Sequence, residues 1–125
     1  MRDLSGLSPL THIVHDWAVR CFGREHVAST KVRALRLAEE AIELCQAAGL
    51  DDVKIHKLVD IVYDRPKGEV VVELAGVLMT AHVLSASFGL DPQDVMLTEL
   101  RRVLGKPPAH FRERNDEKIA MGLDE

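Results

Sequence analysis

The stretch "EVVVELAGVLMTAHVLSASF", residues 69–88, decides the fold, because it reads either as a valine-rich strand or as a long apolar helix. Three successive valines, Val70, Val71 and Val72, favour a strand, since β-branched side chains suit a pleated surface. Length favours the helix. No proline or turn signal interrupts the run before Gly89, whereas a strand usually ends after about five or six residues. Apolar residues then lie nearly all round the helix, at Val70, Val71, Val72, Leu74, Val77, Leu78, Met79, Val83 and Leu84. Such a helix has to be covered on most sides by other helices or by a second subunit. Glu73 sits inside the run and is expected to be buried with it.

The flanking sequence is punctuated by helix starts and stops. Ser8 followed by Pro9 is a start, with a capping oxygen and a proline where its missing N–H costs nothing, and Gly23 ends that segment after Phe22. Ser29 or Thr30 opens "KVRALRLAEEAIELCQAA", rich in helix formers and stopped by Gly49. Asp51 caps a shorter helix to about Tyr63, and "DRPKG" is a loop. Asp91 and Pro92 restart a helix to about Leu104, "GKPP" breaks it, and an amphipathic piece runs from about Ala109 to Met121. Neither a repeat nor a low-complexity tract is present, and no strand signal survives comparison with helix. The prediction is an all-α protein with short connections between antiparallel neighbours, the helices at 30–48 and 69–88 forming the central pair.

Composition agrees with one domain over residues 1–125, its core at about 9–121: 46% of the residues are hydrophobic and 29% charged. Cys21 and Cys45 lie in apolar helical contexts without C-x-x-C spacing, so they are read as reduced, buried small hydrophobes in a cytoplasmic protein. The N-terminal residues contain no apolar signal region. Glu73, Thr80, His82 and Ser85 interrupt the longest apolar stretch, so no membrane span is expected. A net charge of -4 argues against a general nucleic-acid binder. That charge is unevenly placed. Arg101, Arg102, Lys106, Arg112, Arg114 and Lys118 outnumber Glu113, Asp116 and Glu117 near the C-terminus, while Glu39, Glu40 and Glu43 form an anionic focus.

Residues three or four apart share a helix face, so Glu40 and Glu43 project together and Glu39 reaches the same edge through its i+4 relation to Glu43. Like charges so placed repel unless a cation or basic side chain lies between them. Arg36, one turn earlier, relieves part of this. With Glu73 supplied by an adjacent apolar helix, the set makes a hard oxygen site suited to Mg²⁺ or Mn²⁺, whose shell is completed by water and substrate phosphates. The plainer alternative is an exposed glutamate stripe paired with Arg and Lys, and a buried salt bridge from Glu73 to a residue such as Arg36. His12, His15 and Asp16 have ligand-like spacing but no partner motif. Trp17 and Phe22 are read as core rather than as a stacking platform.

"RALRLAEEAIEL" followed by "ELAGVL" resembles the MazG-like all-α nucleoside triphosphate pyrophosphohydrolases, in particular the phage-type subgroup. The upstream "WAVRCFG" and downstream "KPPAHFRERNDEK" extend the resemblance over most of the chain. It implies a four-helix bundle assembled as a dimer or dimer of dimers, and Mg²⁺-dependent hydrolysis of a nucleoside triphosphate to the monophosphate and pyrophosphate. The family pattern, E-E-x-x-E and later E-x-x-D, makes Glu40, Glu43 and Glu73 metal ligands and Glu39 an outer or second-metal residue; as an unligated glutamate, Glu39 is also the candidate catalytic base that takes the proton of the attacking water. Lys106, Arg112, Arg114, Asn115 and Lys118 would bind the substrate. This chain departs from the pattern at Gly76, where the family carries Asp. A catalytically degenerate, nucleotide- or metal-binding regulatory protein is the alternative that departure raises.

Overall fold

The computed structural model describes residues 3–124, and among them there are seven helices and no strand. They are α1 (Pro9–Phe22), α2 (Arg24–Ala28), α3 (Thr30–Ala47), α4 (Asp52–Tyr63), α5 (Val70–Ser87), α6 (Pro92–Leu104) and α7 (Pro108–Ala120). The valine-rich stretch is helical throughout. Side chains cap four of the starts: Ser8 Oγ accepts from the Thr11 amide at 3.3 Å, Ser29 Oγ from Val32 at 3.4 Å, Asp51 Oδ1 from Lys54 at 3.2 Å and Asp91 Oδ2 from Asp94 at 3.2 Å. Helices α3 and α5 stop alike. Gly49 at φ 92° and Gly89 at φ 69° turn the chain left-handed, and the next amide reaches back to Cys45 and Ser85 respectively. Helix α2 is additional to the segments the sequence predicts, because five residues between Gly23 and Ser29 are too few to display a period.

The chain divides into two compact units, Met1–Leu44 with Arg102–Glu125, and Cys45–Arg101. The first owns the core: Cys21, Val32, Val103 and Phe111 are buried, as is the polar Asn115. Trp17 meets Phe22 and Phe111 edge to face, with ring centroids 5.8 and 5.1 Å apart, so both aromatics named in the sequence pack into this unit. The Arg33 guanidinium lies over Phe22, 5.3 Å from the ring centre. Burial, and after it the charge of Arg36, lowers the Arg33 pKa below its ordinary value. Burial likewise pushes the Cys21 thiol up, opposed by Arg20 and Arg112.

Polar side chains bind α7 to the rest of this unit. Arg112 donates from Nε to the Cys21 carbonyl at 3.2 Å and from Nη2 to the Arg20 carbonyl at 3.1 Å, satisfying groups at the open end of α1. Asn115 Oδ1 accepts from Arg36 Nη2 at 3.1 Å and meets His26 Nε2 at 3.2 Å, while Arg36 Nη1 donates to the Leu123 carbonyl at 2.8 Å.

The second unit contains α4, α5 and most of α6, and none of its residues is buried. Val71 is 80% exposed and Val83 67%. Two expectations are corrected here. Glu73 is exposed rather than buried, because nothing in this unit covers the apolar helix that carries it. Its carboxyl folds back against Gly68 at the start of α5, where the helix dipole favours a negative charge. Cys45 is only half-buried; both cysteines are free thiols.

Replacing Asn115 with Ala strands donors on Arg36 and His26 in a part-buried setting, which costs about 1–3 kcal/mol. Urea denaturation of Asn115→Ala is expected to show a loss of that size, and an unchanged midpoint would remove Asn115 as the tie between α7 and its neighbours.

Candidate metal and phosphate site

Helix α3 carries Arg36, Glu39, Glu40 and Glu43 on one face, related by steps of three or four residues. Arg36 is drawn away from the glutamates to Asn115 and Leu123. Glu39 is relieved instead by Lys118 of α7, whose Nζ lies 2.9 Å from Glu39 Oε1, each side chain about a quarter exposed. A pair so placed is partly screened and contributes modestly to stability, but it fixes the basic C-terminal helix against the acidic stripe. Glu40 and Glu43 are exposed beside it.

Among the described residues no three His, Cys, Asp or Glu side chains stand together as a metal-holding group. The α3 carboxylates therefore do not form a closed protein cage. They fit a looser demand, since Mg²⁺ retains waters and is commonly held by one or two carboxylates together with substrate phosphates. Gly76 has open space beside it: a Cβ added to it meets nothing within 4 Å.

The residues expected to hold phosphates divide into two groups. Lys106 and Arg114 are exposed, and Lys118 sits on Glu39. Arg112 and Asn115 are engaged inside the chain, Asn115 with only 7% of its surface exposed. His12 and His15 are half-buried and Asp16 exposed on α1, where Asp16 borders a cavity of about 520 Å³ with Ile13, Val19 and Arg20.

The sequence gives no warning of a second cavity, about 530 Å³, bordered by Phe22, Glu25, His26, Val32, Ile119 and Asp124 among others. Its walls come from both ends of the chain and from the short α2, so no local pattern announces it.

Helix α5 is long and apolar enough to cross a membrane, with mean hydropathy 1.7 over its 18 residues, and none of it is buried. Of the four residues that interrupt this run, Glu73 is charged and exposed, while Thr80, His82 and Ser85 are weak interruptions, because their side chains bond to carbonyls of their own helix, those of Gly76, Leu78 and Ala81, at 2.9, 2.8 and 2.8 Å.

Comparison with protein-family models, with curated proteins and with solved structures gives no match to this chain.

Gly76 lies one turn after Glu73 on the same face of α5, with open space beside it. Gly76→Asp is therefore expected to bind Mn²⁺ more tightly than the unaltered protein in a calorimetric titration without nucleotide. Unchanged or weaker binding by a folded Gly76→Asp protein would place this position outside any metal site.

Proposed function

We propose that the protein is a Mg²⁺-dependent nucleoside triphosphate pyrophosphohydrolase, active as a homo-oligomer. The observation that carries this reading is the Lys118–Glu39 ion pair, which places the cationic end of the chain on its anionic focus. A metal-bound polyphosphate calls for both charges at one place.

Glu40 and Glu43 would hold the ion, and Mn²⁺ would serve in place of Mg²⁺. The ion supplies charge neutralisation on the phosphates and a lowered pKa for water. Lys106, Arg114 and Lys118 then bind the phosphates of the leaving group. As Lys118 turns from Glu39 to the substrate, Glu39 loses its partner and becomes available as the base. It takes a proton from the water that attacks the α-phosphorus, the bond from that phosphorus to the bridging oxygen breaks, and pyrophosphate leaves with the electron pair. Arg112 and Asn115 act in this scheme by holding α7 in place. Glu73 enters as a ligand through the family resemblance alone.

The apolar circumference of α5, together with its internally satisfied hydroxyls and imidazole, supports a second copy of the chain as its cover, in a dimer or dimer of dimers of the four-helix-bundle kind. Soluble monomers rarely leave so large an apolar surface open. Gly76 favours one other reading, a protein that binds nucleotide and metal without turnover.

Pyrophosphate release, measured over a panel of nucleoside and deoxynucleoside triphosphates, is expected to require Mg²⁺ or Mn²⁺. It should fall by at least a hundredfold in Glu40→Gln, Glu43→Gln and Glu73→Gln, since each removes a charge from the ion or its neighbourhood. Metal-dependent nucleotide binding with no turnover of any substrate would select the non-catalytic reading, and full turnover by Glu73→Gln would remove that residue from the site.

Light scattering at micromolar concentration is expected to give at least twice the 13.9 kDa chain mass. A monomer in detergent-free buffer would refute the assembly, and a chain recovered only with lipid or detergent would assign α5 to a membrane instead.

A further inference from the structure

Helix α5 is apolar nearly all round, but its two sides are not alike. Val72, Gly76, Met79 and Val83 follow one another at steps of four, three and four residues, which keeps them on one narrow face. Val72, Met79 and Val83 are 65, 68 and 67% exposed, against 50, 42 and 55% for Leu74, Val77 and Leu78 on the opposite face. Glu73, the one carboxylate of α5, stands at the flank of the more exposed face.

These steps are those of a coiled-coil seam, in which side chains of one helix fill gaps between those of its neighbour. One gap is already built, since a Cβ added at Gly76 meets nothing within 4 Å. A spacing of four, three and four reads the same in both directions, so a second α5 laid antiparallel sets Val72 against the partner's Val83 and Gly76 against the partner's Met79. The long, flexible methionine side chain fills the room the glycine leaves. Parallel pairing sets glycine on glycine and methionine on methionine, a void beside a crowded layer. Charge agrees with the antiparallel choice. It holds the two Glu73 carboxylates about 13 Å apart along the axis, at about 1.5 Å per residue, beyond the screening length of about 8 Å at physiological salt. Parallel pairing would put them at one level. A bilayer fits this face less well, because Glu73 leaves only residues 74–87 as helix without a carboxylate, about 21 Å long against a hydrocarbon core of about 30 Å.

We infer that two copies of the chain pair α5 to α5, antiparallel about a two-fold axis at the level of Val77 and Leu78, with Gly76 as the socket for the partner's Met79, taking from the homo-oligomeric reading above that a second copy covers α5. Such a contact is isologous, each helix giving a socket and receiving one. Gly76 then has a packing role between chains where it has none within the chain.

The full chain is tested by oxidative cross-linking in a Cys45→Ser background, which removes the half-buried thiol and keeps the buried Cys21. Val72→Cys and Val83→Cys chains, each oxidised alone, are expected to stay unlinked, because like positions lie about 16 Å apart along the axis and a disulfide needs Cα atoms within about 7 Å. Mixed and equilibrated, the two are expected to give a disulfide-linked dimer. In sedimentation equilibrium, Gly76→Met and Gly76→Asp are each expected to weaken self-association at least tenfold. The exchange variant Gly76→Met with Met79→Gly swaps knob and socket, and is expected to recover to within threefold of the unaltered chain. Cross-linking of either cysteine variant alone, a dimer that links in neither arrangement, or an exchange variant no better than Gly76→Met would overturn the seam and leave the homo-oligomeric reading standing. A monomeric unaltered chain removes the two together.

Discussion

One buried oxygen holds the N-terminal and C-terminal parts of the chain together. Asn115 Oδ1 sits on α7, takes a hydrogen bond from Arg36 on α3 and faces His26 on α2. With that oxygen in place, Lys118 of α7 meets Glu39 of α3, and the turn beyond α7 brings the Leu123 carbonyl to Arg36. Arg112 adds the attachment to α1. Each contact is individually modest, but they meet in a part-buried setting where an unpaired donor is costly. The acidic stripe, the basic helix and the cavity beside α2 thus depend on the same few side chains.

The second unit is governed by a different constraint. Its helices have good starts and stops, but no residue in it is buried, and α5 presents valines, leucines and a methionine to the outside on every side. Helix propensity and capping define such a helix locally; packing normally supplies most of a helix's stability. Here the apolar area has no cover within the unit. The polar groups of α5 are turned back onto its own carbonyls, which leaves few obstacles to burial against another apolar surface.

Gly76 joins the two themes. A glycine within a helix costs about 1 kcal/mol against alanine. Its surroundings are open, so the residue is not explained by close packing within the chain. Glu73, one turn earlier, folds its carboxyl back toward Gly68.

What the sequence determined is the local order. The helix limits follow it to within a residue or two, because a cap such as Asp51 or a stop such as Gly49 acts on groups no more than about five residues away. The stripe of Glu39, Glu40 and Glu43 follows from helical spacing for the same reason. Helix α2 was hidden only by its shortness. Tertiary structure decided what lies far apart in sequence: that Asn115 is an internal tie, its partners standing 79 and 89 residues away. It decided that Lys118 rather than Arg36 answers Glu39, and that Glu73 and α5 are exposed where the apolar run predicted burial. Hydrophobic pattern records which surfaces need cover, but whether cover comes from the same chain depends on how the elements pack, and no short-range signal encodes that.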